Sequence, residues 1–275
     1  MFERPLAFDM KSATQTCLRR AGLLRLRTPA FAFADDLHDV VYDWHKHSFH
    51  QLLYSFSGIT KLETRDHLWL LPPQRAAWIP AGTRHRTTLS RVNVGSIYFD
   101  PPRYRFPGMR EISVFTATPL LREMIVHGMR WINQPRRGDA LAENFFRTVA
   151  LYCRELAHEE LPYRLPRGDS PGVRAAIEYT LGNLENVSFE RVARKAGFSV
   201  RSLRRHFLAE TGITWRHLLT RARLLRAMEL LSEKKRNVTE TAYACGFTNL
   251  SAFSKAFAQF TGENPNAYRR ARLCV

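Results

Sequence analysis

Two stretches of the chain, RVARKAGFSVRSLRRHFLAETG at residues 191–212 and TAYACGFTNLSAFSKAFAQFTG at residues 241–262, follow one pattern. At an offset of 49 residues, Ala193, Gly197 and Phe198 fall on Ala242, Gly246 and Phe247. Beyond the Gly-Phe pair the offset is 50, and Leu203, Phe207, Thr211 and Gly212 fall on Phe253, Phe257, Thr261 and Gly262. One residue is therefore inserted just after the Gly-Phe turn, and the chain carries two copies of one supersecondary unit. Each copy reads as a helix of about eight residues, a tight Gly turn and a second helix with apolar residues at i and i+4, which is a helix-turn-helix. The glycine lets the chain leave the first helix, and the Phe after it fits the angle between the two helices. Ser199 and Asn249 stand where an N-cap opens each second helix.

The outward face of the first copy's second helix offers Arg201, Arg204 and Arg205, spaced to point together into a major groove, where arginine reads guanine bidentately. The matching face of the second copy offers Leu250, Ser251, Ser254 and Lys255, suited to phosphates, thymine methyls and looser base reading. Between the copies, Thr214 to Ser232 is a proline-free helix of about 18 residues, roughly 27 Å long. It suits two recognition helices about one duplex turn, roughly 34 Å, apart. Charge agrees: residues 171–275 hold 18 Lys+Arg against 8 Asp+Glu, within a chain of net charge +17. Such a basic excess implies an anionic partner. A membrane-bound reading fails, because the apolar residues of the arginine-bearing helices are claimed by the repeat's own core.

These residues resemble the DNA-binding domain of the AraC/XylS family of bacterial transcription regulators. The marks are Arg223 with Ala227 and Leu230-Leu231, then Gly246-Phe247, Phe253, Phe257, Gly262, Pro265, Tyr268 and Arg269. The resemblance covers about residues 171–272. It implies a seven-helix domain with both recognition helices in successive major grooves of double-stranded promoter DNA. By matching positions it assigns DNA contact to Arg201, Arg204, Arg205, Ser251, Ser254 and Lys255. Glu263-Asn264 ahead of Pro265 departs from the family, which often has a small residue there.

Upstream, the stretch from His158 to Gly172 holds three prolines and two glycines and marks a domain boundary. At 275 residues the chain is long enough for two domains. From about 37 to 116 short apolar runs rich in aromatic and β-branched residues, broken by turns, predict a small β-barrel or sandwich. After Pro119, helical spacing predicts helices at 120–133 and 138–158, whose apolar faces need cover and suit a homodimer. The expected architecture is α+β: a sensor domain at 1–118, a helical dimerisation and linking segment at 119–160, and an all-α double helix-turn-helix domain at 171–275.

Histidines cluster in WHKHSFHQ, where His45 and His47 share a face if the segment is a strand. His50 is then on the other face, at a surface or interface. In IPAGTRH, a turn at Pro80 and Gly82 brings His85 toward the pair, and three nitrogen donors with open positions suit a first-row transition metal. The two segments resemble the cupin motifs H-x-H-x3-E-x6-G and P-x-G-x-x-H, read here as His45, His47, Gln51 and Gly58, then Pro80, Gly82 and His85. The resemblance implies a cupin-like effector barrel with His45, His47, Gln51 and His85 as ligands of a divalent transition metal, Zn, Ni, Fe and Mn being indistinguishable. Gln51 replaces the family's glutamate, and a neutral amide is the poorer ligand. A metal site, an organic effector pocket without metal and purely internal hydrogen bonding all remain open. Trp44, Tyr54, Trp69, Trp78 and Tyr98 supply aromatic cover, as core more often than as cage.

The leading function is a transcription factor that senses a small molecule or metal, with RNA polymerase a further partner if it activates. The sign of regulation is not written in the sequence. The alternative is a metal-dependent cupin enzyme, a dioxygenase or isomerase, fused to a DNA-binding domain. It lacks an Asp or Glu in the motifs to act as general base, so a non-enzyme is expected. Cys17, Cys153, Cys245 and Cys274 form no CxxC pair, which excludes a zinc ribbon and points to a reducing compartment. With no apolar run approaching 18 residues and no leader pattern at the N-terminus, a cytoplasmic protein is expected.

Overall fold

A computed structural model describes residues 28–35, 40–90, 93–105, 109–132, 138–157, 163–233 and 236–273. Cys17, Cys274, the N-terminal stretch read for a leader, and residues 158–162 of the boundary lie outside them. The chain divides into two compact units, one running to Thr64 and resuming over Leu71–Leu161, the other made of Arg65–Leu70 and Pro162 onward.

The first unit is an antiparallel β-sandwich. Its strands are β1 (Ala30–Asp35), β2 (Val40–His45), β3 (His50–Ser55), β4 (Ile59–Glu63), β6 (Arg75–Ile79), β7 (His85–Ser90), β8 (Val94–Phe99) and β9 (Ser113–Thr116). One sheet runs β1-β8-β3-β6-β9, and the facing sheet carries β4-β7-β2. Strands begin at Ala30, earlier than expected, because AFAFAD alternates small and aromatic residues on opposite faces.

The first sheet is buried on both faces. Ala30, Ala32, Leu52, Tyr54, Ala76, Trp78, Ile97 and Phe99 point outward into a core closed by two helices, α1 (Pro119–Gly128) and α2 (Ala140–Leu156). Leu121, Ile125, Phe146, Val149, Ala150 and Cys153 form the helical side of that core. The apolar faces that the sequence leaves needing cover are thus largely covered by the sheet itself. Residues of opposite parity, Phe31, Phe33, Gln51, Leu53, Ser96 and Tyr98, point into the sandwich. Gly95 has no side chain because a Cβ there would lie 2.9 Å from the Met129 methyl, in the turn that follows α1.

The second unit holds seven helices among the described residues. They are α3 (Pro171–Gly182), α4 (Phe189–Lys195), α5 (Val200–Thr211), α6 (Trp215–Ser232), α7 (Val238–Ala244), α8 (Leu250–Thr261) and α9 (Pro265–Leu273). The short strands β5 (His67–Leu71) and β10 (Arg164–Pro166) pair antiparallel, Leu68 opposite Leu165. Helices α4 and α5 form one helix-turn-helix, and α7 and α8 the other. The repeat extends to individual hydrogen bonds. Ser199 and Asn249 cap α5 and α8, accepting from the N–H groups of Ser202 at 3.1 Å and Ala252 at 2.9 Å. Thr211 and Thr261 donate to the carbonyls of Phe207 and Phe257, and Gly212 and Gly262 end both helices in the left-handed conformation. Asn264, one of the departures from the family pattern, caps α9 by accepting from the Ala267 N–H at 2.8 Å, as Thr214 accepts from His217 at α6.

Helix α6 is buried at Leu218, Leu219, Ala222, Leu224, Leu225, Ala227, Met228, Leu230 and Leu231, hence on nearly every side, as a helix surrounded by others must be. Arg223 in its middle donates from Nε to the Leu184 carbonyl at 2.9 Å, and its guanidinium lies over the Phe247 ring. Among the described residues no helix is long and apolar enough to cross a membrane.

Candidate functional site

His45 ends β2, His85 opens β7, and the two residues are register partners, so their rings meet with centroids 4.3 Å apart. His47 does not share a strand face with His45. It lies in the irregular segment after β2, where its ring swings to 5.1 Å from His85 and 6.0 Å from His45. The Gly82 N–H donates to the His47 carbonyl at 2.8 Å, tying the Pro80–Gly82 turn to this segment. One ring nitrogen from each of the three lies within 4.8 Å of the others, and all three residues are buried. His50 is half-buried within the sandwich, where it accepts the Ala81 N–H at 3.1 Å and lies against Trp78.

Burial disfavours the charged form of each ring. His45 and His85 are held below the ordinary histidine value by burial, and His47 is lowered to about 4 by burial and then by the neighbouring His45. The rings are therefore neutral at pH 7, and each has one proton to donate. That proton sits on Nδ1, which faces a backbone carbonyl in every case: Asp43 at 2.7 Å, Phe49 at 2.7 Å and Thr83 at 2.9 Å. Each Nε2 then carries a lone pair. A ring held by a backbone carbonyl on one nitrogen and open on the other is oriented as metal-ligating histidines are.

Gln51 sharpens the test. His47 Nε2 lies 3.0 Å from Gln51 Oε1, while the Gln51 amide nitrogen donates to Ser96 Oγ at 3.0 Å. With the His47 proton on Nδ1, two lone pairs face each other without a hydrogen between them. Two arrangements resolve this: the amide turns over, donating to His47 and accepting from Ser96, or a cation sits against both atoms. The donor set of three imidazoles and one amide fits a borderline divalent transition metal.

The cavity around these residues is lined by Phe31, Phe33, Tyr42, Phe49, Leu53 and Tyr98, with Thr87 and Ser96 adding hydroxyls. Phe31 and Tyr98 stack 5.1 Å apart. About 40 Å3 is free, room for about three waters where one needs roughly 10–15 Å3. Of the five aromatics singled out from the sequence, only Tyr98 lines the cavity. Tyr54 and Trp78 have the other parity and belong to the helix-covered core. No Asp or Glu is among the lining residues.

On the second unit, Arg201, Arg204 and Arg205 of α5 are exposed on one face, and Ser251 and Lys255 of α8 are exposed at the matching positions, with Ser254 half-buried. The Arg204 guanidinium lies 6.0 Å from the Phe189 ring of α4, which limits where its fork can point.

A β-sandwich with an aromatic-walled interior cavity that gathers three histidines, joined to two repeated helix-turn-helix units with exposed cationic residues, defines a ligand-responsive DNA-binding regulator. Residues 29–165 match the AraC-like ligand binding domain, and residues 192–271 match a helix-turn-helix domain. The chain is 26% identical to the HTH-type transcriptional regulator NimR of Escherichia coli, over 82% of this chain and 81% of that one. It is 27% identical to the HTH-type transcriptional activator RhaS of Citrobacter koseri, over 90% and 91% of the two chains. With the HTH-type transcriptional activator RhaR of Pectobacterium atrosepticum the identity is 40%, over 32% of this chain and 31% of that one. The chain belongs to the AraC family of transcription regulators.

Proposed function

We propose that this regulator senses a divalent transition metal, alone or with a small molecule bound to it, through His45, His47, His85 and Gln51. The observation that carries the reading is geometric: three buried imidazoles each place Nδ1 against a backbone carbonyl, and one ring nitrogen of each lies within 4.8 Å of the others. When bound, the metal would supply a Lewis-acidic centre to which a small effector could bind, and the aromatic walls would exclude bulk water from it. The sandwich acts as a sensor and not as a catalyst, a reading supported by a cavity lining without a carboxylate base. A second reading, an uncharged organic effector without metal, is favoured by the stacked Phe31–Tyr98 pair and the ring of aromatics beside it.

Effector binding alters promoter affinity by favouring one of two states of the protein. The base and phosphate contacts fall to Arg201, Arg204, Arg205, Ser251, Ser254 and Lys255, a reading supported by their shared face on repeat-related helices. The regulator acts in the cytoplasm as a homodimer, with RNA polymerase as a further partner where it activates. For the dimer, the support is a groove on α1 and α2 lined by Leu120, Met124, Leu151 and Tyr152, where Leu120 is 59% and Leu151 43% exposed.

Metal content of the purified full chain, measured by mass spectrometry, tests the sensor. Near one metal per chain in the parent, lost in a His45, His47, His85 triple Ala variant, is the expected result. No metal in either protein, after reconstitution with each candidate ion, overturns the metal reading and leaves the organic effector.

A further inference from the structure

Recognition helices α5 and α8 are gripped at the same point of the repeat by one short piece of chain. The repeat places Glu210 of α5 opposite Phe260 of α8, since both stand immediately before the Thr-Gly pairs 211–212 and 261–262. Glu210 accepts two backbone N–H groups through one carboxylate oxygen, from Asp169 and from Ser170, each at 2.8 Å. Phe260 meets Tyr163 edge to face, with ring centroids 6.0 Å apart. Tyr163 is 2% exposed although it lies outside every helix. The two contacts are chemically unlike, yet they hold the two ends of one eight-residue segment, Tyr163–Ser170.

That segment is not slack. Its middle is β10, paired with β5 from Arg164 opposite Trp69 to Pro166 opposite His67. The Leu70 N–H donates to the Tyr163 carbonyl at 3.4 Å, and the Arg167 guanidinium donates to the Arg65 carbonyl at 3.5 Å. Leu165 is fully buried. At its far end the segment passes through Gly168, at φ +78°, where a Cβ would lie 2.6 Å from Val173, and it closes on Ser170, the N-cap of α3. Fixed along its length, it behaves as a spacer of set reach between the two recognition helices.

We propose that Tyr163–Ser170 is a strap that sets the spacing of the two recognition helices, and that Glu210 and Phe260 are positioning residues for reading two DNA segments at once. A helix pair held only by α6 would twist as α6 flexes; a second tie, on the same turn of each recognition helix, removes that freedom. The strap runs in sequence directly from the sensor unit, so a change there reaches both recognition helices together and not one before the other. The inference rests on α5 and α8 being the helices that enter DNA.

The test uses the full chain and duplexes selected for tight binding, carrying both DNA segments at the preferred spacing, with one base pair added between them, or with one segment scrambled. Binding is followed by fluorescence anisotropy for Glu210→Ala, Glu210→Gln, Phe260→Ala and Phe260→Leu. The parent is expected to lose affinity when one base pair is added. The Ala variants should reduce that penalty at least threefold while binding the single-segment duplex within twofold of the parent. Glu210→Gln, which keeps an acceptor oxygen, should recover part of the penalty, and so should Phe260→Leu, which keeps the burial. Should an Ala variant fail to fold, as judged by its unfolding transition, the Gln and Leu variants carry the test. A spacing penalty equal to the parent's in folded variants overturns the strap. Arg205→Ala distinguishes failure of the underlying reading: if it leaves single-segment binding unchanged, α5 is not a recognition helix, whatever the strap variants do.

Discussion

Three imidazoles and the Gln51 amide bring no negative charge to a cation, whereas a carboxylate at that position would bring one. Gln51→Glu is therefore expected to tighten metal binding by about tenfold or more through direct charge attraction, read by competition with a chromophoric chelator. Equal affinity in both proteins would remove Gln51 from the ligand set. On the DNA side, Arg204→Ala and Arg205→Ala should each cost roughly 1–3 kcal/mol at the specific site and relax base preference there. Parent-like footprints from both variants would refute the assignment. That the three histidines gather was legible from the sequence, since a turn at Pro80 and Gly82 could return His85 to the first pair. The strand alternation that paired His45 with His47 does not hold, because His47 joins them from an irregular segment. The cavity's aromatics were not legible. Phe31 and Phe33 lie ahead of the region that read as strand, and Tyr54 and Trp78 have the apolar character of cavity residues but the wrong parity. A sheet covered on both faces erases the alternation that tells one face from the other.

At the scale of elements, caps and turns were the most readable features, because each depends on one side chain satisfying a few neighbouring backbone groups. Ser199, Asn249 and the paired Thr-Gly ends fall where the repeat places them. The glycines separate by geometry. At Gly246, φ is +81° and a Cβ would lie 2.6 Å from the Glu185 carbonyl oxygen and against the Arg223 guanidinium. Gly246→Ala should thus cost at least about 1–2 kcal/mol through left-handed backbone strain alone, with the clash added. Gly182, in the last turn of α3, has nothing within 4 Å of a Cβ. Gly182→Ala should stabilise by up to about 1 kcal/mol. Opposite shifts in the denaturant midpoint are expected, and shifts of the same sign would contradict the geometry. Strand β10 escaped a reading from sequence because three residues ending in a proline show no period. A proline-rich boundary and an edge strand look alike until the pairing partner, 95 or more residues earlier, is known.

For the whole molecule, a net charge of +17, with 18 basic residues against 8 acidic in the last 105, predicts binding dominated by phosphate neutralisation. The logarithm of the DNA affinity should fall linearly with the logarithm of salt, with a slope of about −0.9 for each phosphate contacted. A flat line would count against the DNA-binding surface as a whole. The buried helix α6 runs unbroken from Trp215 to Ser232 between the two helix-turn-helix units, and a helix converts length into angle. One inserted residue would turn the second unit by about 100° while moving it only about 1.5 Å, swinging α8 away from the groove it is meant to enter. Seven residues would bring it round within about 20° of its starting angle, some 10 Å further along. Within α6, new lengths that keep the angle of the second unit come only in steps of whole turns, so a one-residue change there alters orientation far more than distance.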